Sequence, residues 1–307
     1  MVLCRGPAND NTNSMSVRLI RADSSLCDTG VGHIKKERMC KTVQNDEFSV
    51  LVIGDIIGEP GRKALFLSLS RIVQEEGADF VVANAENSAG GFGITGNIAG
   101  KLYSYGVDCI TTGNHVWRNR EVFKIIDTDS RLVRPANYPS GTPGRGWTVV
   151  EKGGISLGVL NLMGRIYMDP LDCPFRAAKK EIASIRKETQ YIIVDFHGEA
   201  TSEKIAMGWW LDGRVSAVFG THTHVQTADE RVLPGGTAYI TDLGMTGPFD
   251  SVIGVKKERA LHKLTTRIPA KFVTAEDDVR INGAVITIDR ESGMARRIKR
   301  VNQQVIE

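Results

Sequence analysis

Cysteine is scarce. The chain has five among 307 residues, and Cys4, Cys27, Cys40, Cys109 and Cys173 form no C-x-x-C pair. That excludes a thiolate zinc site and a dithiol redox motif. An odd, scattered set also argues against a disulfide framework and for a reducing compartment, so the expected location is the cytoplasm. Cys109, in VDCITT, reads as a buried strand residue. No apolar run approaches the ~20 residues of a membrane span. Met1–Val50 shows no apolar stretch behind a basic start, so no signal peptide is expected. Charge of one sign is missing too: 39 basic residues face 36 acidic ones, for a net +3. No general polyanion-binding surface is expected from that balance. The glycine-rich NSAGGFG lacks the spacing of both GxxxxGK(S/T) and GxGxxG, which argues against those phosphate loops.

Hydrophobic residues make up 41% of the chain, enough for a full core. Residues 1–47 carry no sustained period and include the polar tract PANDNTNSMS, so they are expected to form a poorly ordered extension. The domain is expected over residues 48–307. From Phe48 a unit of strand, polar loop and helix recurs. FSVLVI leads to RKALFLSLSRIVQEEG, DFVVANAEN to NIAGKLYSYG, VDCITTGNH to REVFKIID, and YIIVDFHGE to SEKIAMGWWLDG. VSAVFGTHTH closes the series, and GGISLGVLNLMGR, GGTAYITDLG and GAVITIDRESGMARRIKRV add hairpin-like segments. The alternation predicts an α/β core with parallel pairing and a mixed or second sheet.

The strands end in residues that suit metal coordination. Asp55 follows the first, Glu86 and Asn87 the second, Asn114 and His115 the third; His197 ends a later strand, and His222 and His224 end the last. C-terminal ends of parallel strands open on one edge, where ligands bind. In extended chain, residues two apart point the same way, so His222 and His224 are both expected to face that crevice. A mixture of carboxylate, amide and imidazole suits Mn, Fe, Zn or Co better than Mg or Ca. Seven candidates exceed the needs of one ion, and a shared carboxylate makes two natural. His115 is expected to point away from Asn114, toward substrate, where it would protonate a departing alkoxide. Asn161 and Arg165 are further candidates for phosphate contact. Taken singly, Asp55 suits a helix cap, Asn87 and Asn114 suit turns, and His197 suits a hydrogen-bonded strand. Their joint placement carries the reading. GWW, at Gly208–Trp210, follows a helical apolar pattern that predicts core or interface.

The motifs resemble a known family. GNH after a strand and the later GTHTH are similar to the metallophosphoesterase signature. IGDIIGEPGR, NAENSAGGFGIT, TTGNHVW, RLVRPANYP, VDFHGEATSEK and LDGRVSAVFGTHTHVQTADERVLPGGTAYITDLGMTGP resemble the bacterial YmdB-like branch closely, over about Phe48 to Val301. The resemblance implies a calcineurin-like α/β/β/α sandwich, two mixed β-sheets flanked by helices. It implies that Asp55, Glu86, Asn87 and His224 hold one metal, and that Glu86, Asn114, His197 and His222 hold the other. Glu86 would bridge and His115 would be the proton donor. Against the wider superfamily, Ile57 stands where D-x-H would place a histidine, a change shared by the YmdB-like branch.

The expected function is therefore a dinuclear metal-dependent phosphodiesterase. It would hydrolyse small phosphodiesters, 2′,3′-cyclic nucleotides foremost, by attack of a metal-bridging hydroxide. Iron or manganese are the expected cofactors, and a homo-oligomer with no membrane or nucleic-acid partner is the expected assembly. A metal-dependent nucleotide-binding regulator with only residual hydrolysis stays open as the alternative. A dinuclear amidohydrolase, which usually has its H-x-H early in the chain, ranks last.

Overall fold

The computed structural model describes residues 46–305. Cys4, Cys27, Cys40, His33 and nearly all of the expected extension lie outside those residues. The first strand, β1 (Glu47–Ile53), begins one residue before Phe48. The chain continues as β2 (Asp55–Ile56), α1 (Gly58–Glu76), β3 (Phe80–Asn84), α2 (Gly96–Ser104) and β4 (Cys109–Thr111). Then come β5 (Trp147–Lys152), β6 (Ile155–Met163), α3 (Pro174–Ile185), β7 (Tyr191–His197), α4 (Thr201–Leu211) and β8 (Ala217–Thr221). The last elements are β9 (Arg231–Val232), β10 (Ala238–Ile240), β11 (Met245–Pro248), α5 (Lys257–Thr266), β12 (Val279–Asp289) and β13 (Ala295–Gln304).

Two mixed sheets result. One runs β2-β11-β12-β1-β3-β4 with β13 paired to β12; the other runs β5-β6-β7-β8-β10-β9. β1, β3 and β4 are parallel neighbours in the first, as are β6, β7, β8 and β10 in the second. Period-2 alternation builds the layers. Phe48, Val50 and Val52 of β1 meet Val159, Ile193 and Phe219 of the other sheet in a central core. The intervening Leu51 and Ile53 pack against Ala64, Leu65, Leu69 and Ile72, one face of α1. On the far side Ile192, Val194 and Phe196 of β7 pack on Ile182 and Ile185 of α3 and Met207 and Leu211 of α4. The order is α/β/β/α, as the resemblance implies.

Local details differ from expectation or add to it. REVFKIID forms only a short 3₁₀ turn, Arg120–Lys124, not a full helix. α3 and α5 had no counterpart in the sequence reading. GGISLGVLNLMGR is more than a hairpin arm, because β6 pairs antiparallel with β5 and parallel with β7. Trp209 and Trp210 are exposed, with Arg231 and Arg214 lying near their rings, while Gly208 and Leu211 are buried.

Candidate metal centre

At the carboxyl ends of β3, β4, β7 and β8 the inward positions turn from apolar to polar. Phe80 and Val82 of β3, Cys109 of β4, Ile193 of β7 and Ala217 and Phe219 of β8 all line the central core. Two residues further along each strand come Asn84, Thr111, Asp195 and Thr221, every one buried. Asp195 joins them: its carboxylate accepts from Asn84 Nδ2 at 3.1 Å, from Thr111 Oγ1, and from Thr221 Oγ1 at 2.7 Å. This polar layer closes the core and forms the floor of the site. His197, two residues beyond Asp195, is the next step up.

Three imidazoles converge above the floor, each held by one nitrogen. His197 Nδ1 lies 2.9 Å from Thr221 Oγ1, His222 Nε2 lies 3.1 Å from Glu199 Oε2, and His224 Nδ1 lies 2.9 Å from the carbonyl of Ile253. Thr221 gives its own proton to Asp195, and the other two partners only accept, so each held nitrogen carries the hydrogen. The opposite nitrogens turn toward one another and toward oxygen. His197 Nε2 is 3.1 Å from Glu86 Oε1, 2.9 Å from Asn114 Oδ1 and 3.1 Å from His222 Nδ1. His224 Nε2 is 3.2 Å from Asn87 Nδ2. Ligand atoms of Glu86, His197 and His222 all lie within 4.8 Å of one another, a group able to hold a metal ion.

Asp55 completes the test of fit. Its Oδ2 accepts the backbone N–H of His222 at 3.0 Å, but its fully buried Oδ1 has no hydrogen-bond partner. The ionic contact of that oxygen with His197 Nδ1 spans 4.0 Å, beyond hydrogen-bond reach. A buried carboxylate oxygen without a hydrogen bond is costly, and a cation would answer it. The donor set of carboxylate, amide and neutral imidazole fits divalent transition ions.

The route of His222 and His224 to the site differs from expectation. β8 stops at Thr221, and the two histidines adopt φ of +100° and +66°, outside the extended region. A tight left-handed turn, not strand alternation, brings them in. Asn114 and His115 likewise sit on a turn after β4. His115 donates its backbone N–H to Glu86 Oε2 at 2.9 Å, and its Nδ1 lies 2.7 Å from Asn87 Oδ1. Gly113 makes this approach possible, since a Cβ there would fall 2.3 Å from His197 Nε2 and 2.5 Å from Glu86 Oε2. Seven of the sequence-predicted ligand and donor positions thus connect directly through these contacts, and Asp55 joins them through the His222 backbone. Asn161 does not belong with them. It is wholly buried, with its amide spent on Thr112 and on the Asp195 carbonyl, and it cannot reach a phosphate. Arg165 is exposed; its backbone N–H, with that of Ile166, is held by Glu203.

The family model for YmdB-like proteins matches residues 51–301. The chain belongs to the YmdB-like family. It is 48% identical over 252 residues to the 2′,3′-cyclic-nucleotide 2′-phosphodiesterase of Bacillus subtilis strain 168, covering 82% of this chain and 96% of that protein. It is 35% identical over 246 residues to a putative phosphatase/phosphodiesterase of Mycoplasma pneumoniae, covering 78% and 87%. Among solved structures, a hypothetical protein from Thermus thermophilus superposes with TM-score 0.78 at 43% identity, covering 84% of this chain and 99% of that one. A novel phosphatase from Mycoplasma pneumoniae gives TM-score 0.79 at 32% identity, covering 84% and 94%. The calcineurin-like α/β/β/α fold is thereby established for this YmdB-like chain.

Electrostatics in the YmdB-like site follow burial and the shared carboxylates. Burial pulls the His197 imidazole down, but Glu86 and Asp55 outweigh it and hold it up at about 9 when no cation is present. Burial pushes Glu86 up, yet His197 and His115 bring it down to about 2. Burial, helped by His197, lowers His222 to about 3, so its lone pair is free. Burial raises Asp55, with His224 and His197 opposing it. Burial also lowers His115, against the pull of Glu86.

Sequence reasoning passed over several residues that shape this YmdB-like site. Asp195 and Thr221 were both within reach, because period 2 places Asp195 on the face of His197 and Thr221 on that of Phe219. Glu199, next but one to His197, stood in the quoted VDFHGE. The buried pair of Lys204 with Asp242, 2.6 Å apart, joins α4 to the segment after β10 and had no sequence signal.

Proposed function

We propose that this chain is a dinuclear metal-dependent phosphodiesterase acting on small phosphodiesters, with 2′,3′-cyclic nucleotides as the preferred substrates. The observation that carries the reading is the convergence of Glu86, His197 and His222 beside Asp55 Oδ1, which has no hydrogen-bond partner, with His115 on the same cluster. Similarity to the Bacillus subtilis enzyme supports the substrate class.

Asp55, Glu86, Asn87 and His224 would hold one ion, and Glu86, Asn114, His197 and His222 the other. Bound there, two divalent cations would supply Lewis-acid stabilisation of a phosphoryl transition state and an acidified water as nucleophile. The chain's own residues do the remaining work. Glu86 lies between the two groups and serves both. Thr221, Glu199 and Ile253 fix the histidine tautomers so that the inward nitrogens carry lone pairs. His115, anchored to Glu86 through its backbone and giving its Nδ1 hydrogen to Asn87 Oδ1, would act in its imidazolium form, with the second proton held at Nε2 for the departing oxygen.

Iron or manganese are the proposed metals, and a homo-oligomer in the cytoplasm the proposed setting. Cys109 and Cys173 are both free thiols, which supports a reducing compartment. Among the described residues no helix is long and apolar enough to cross a membrane.

The test is turnover of adenosine 2′,3′-cyclic phosphate with added Mn²⁺ by the wild type and by His115→Ala. General acids contribute about 10²–10⁴-fold, so the variant is expected to keep its metals and lose turnover on that scale. Full activity in His115→Ala would remove the proton-donor role. Saturable nucleotide binding without product from the wild type would favour a regulator over an enzyme.

A further inference from the structure

Phe92 lies in the loop between β3 and α2, and it is 38% exposed although it stands at the edge of a polar site. Its ring centroid is 4.9 Å from that of His115, at 82° between planes, and 4.7 Å from that of Phe272, at 61°. Two separate loops supply the pair, one after β3 and one after α5. Gly91 lets them meet: its φ is +98°, and a Cβ there would fall 2.5 Å from the Phe272 ring. A single exposed aromatic is ordinary. One braced by a second ring and set against the proposed proton donor is not placed by core packing alone.

The chemistry indicates what meets it. In hydrolysis of a 2′,3′-cyclic nucleotide at the 2′ position, a water oxygen joins phosphorus and the P–O2′ bond breaks. O2′ takes a proton from His115, and the proton of the attacking water restores the imidazole. The broken bond leads to the ribose, so the ribose end of the substrate comes within reach of His115. Phe92, in ring contact with His115, stands next to that group.

We propose that Phe92, braced by Phe272, is a nucleobase platform that gives the site its preference for a cyclic phosphodiester carrying an aromatic base. This rests on the reading of His115 given above. Every base has a π-face, so such a platform selects for the presence of a base more than for its identity.

The test compares adenosine 2′,3′-cyclic phosphate with glycerol 1,2-cyclic phosphate, which has no base, in the Mn²⁺-loaded full chain. In Phe92→Ala and Phe92→Leu the ratio of kcat/KM for the nucleotide over the glycerol ester is expected to fall about tenfold or more, chiefly through KM of the nucleotide. Phe92→Trp is expected to restore it. Phe92→Leu keeps apolar volume without a π-face, so it separates stacking from packing. A fall that is equal for both substrates, or no fall, overturns the platform. If the wild type turns over neither ester, the phosphodiesterase reading fails instead. The platform is then judged by equilibrium binding of adenosine 3′-monophosphate against glycerol phosphate to wild type and Phe92→Leu, where equal affinity ratios overturn it.

Discussion

Lys204 and Asp242 meet 2.6 Å apart, both wholly buried, beneath the turn that carries His222 and His224. The same Asp242 Oδ2 accepts the backbone N–H of Thr223 at 3.1 Å and its hydroxyl at 2.8 Å, while Oδ1 accepts the N–H of Gly244 at 2.8 Å. Thr223 lies between the two histidines, so the ion pair fixes a backbone that would otherwise resist φ of +100° and +66°. Removing one partner of a buried pair typically costs ~3–5 kcal/mol. Lys204→Met is therefore expected to lower the melting temperature and to reduce metal content per folded chain. Thermal denaturation with elemental analysis checks both, and full metal content in the folded variant would detach the pair from the site.

Gly113→Ala is expected to abolish the centre. The new Cβ would fall 2.3 Å from His197 and 2.5 Å from Glu86, closer than real Cβ contacts. His197 is wholly buried and cannot retreat without breaking its bond to Thr221. Stoichiometric metal in the purified variant would show that the two side chains yield more easily than this geometry allows.

Thr221 can be probed by shape and by chemistry. Thr221→Val keeps the shape but removes the hydroxyl that accepts from His197 Nδ1 and donates to Asp195. Losing a partner that orients a ligand usually costs 10–100-fold in metal affinity, so about that loss is expected. Thr221→Ser should recover most of it. Calorimetric titration of the metal-free protein with Mn²⁺ gives the numbers, and equal affinities for the three proteins would contradict the relay.

Metal uptake should depend on pH with a definite sign. In the metal-free protein His197 is held up at about 9, above its ordinary 6.5. Its proton is thus bound at neutral pH and must leave before Nε2 can bind a cation. Apparent affinity is expected to rise with pH, by up to about tenfold per unit below 9 for one displaced proton. The same raised value makes the His197 contribution to metal-free stability fully present below 6.5 and lost as pH rises through about 9. Titrations at about pH 6.5, 7.5 and 8.5 would show the trend, and a flat profile would place the displaced proton elsewhere.

The architecture was legible, and the candidate donors could be proposed, for one reason: strands buried on both faces write themselves as apolar runs, and their polar endings stand out. Asp55, Glu86, Asn87, Asn114, His197, His222 and His224 were all picked out that way. The path of the chain after the strand was not. The left-handed turn through His222 and His224 depends on Asp242, which arrives from beyond β10, and on Lys204 from α4. No local pattern announces partners that distant in the chain. Asn161 reads as a loop-end polar group, yet β6 continues to Met163 and keeps it inside. α5 was missed because its apolar stripe is short: Leu261 and Leu264 recur at helical spacing but stand exposed, and none of the helix is buried.

The polar layer around Asp195 is made from both halves of the sandwich: Asn84 and Thr111 come from one sheet, Asp195 and Thr221 from the other. The donors above it divide the same way. Any cation gripped by Glu86 and Asn114 on one side and His197 and His222 on the other would act as a rivet across the seam. Stripping the ions should then loosen the open end of the sandwich first, and hydrogen exchange at the tips of β3, β4, β7 and β8 should quicken before the helices on the outer faces respond.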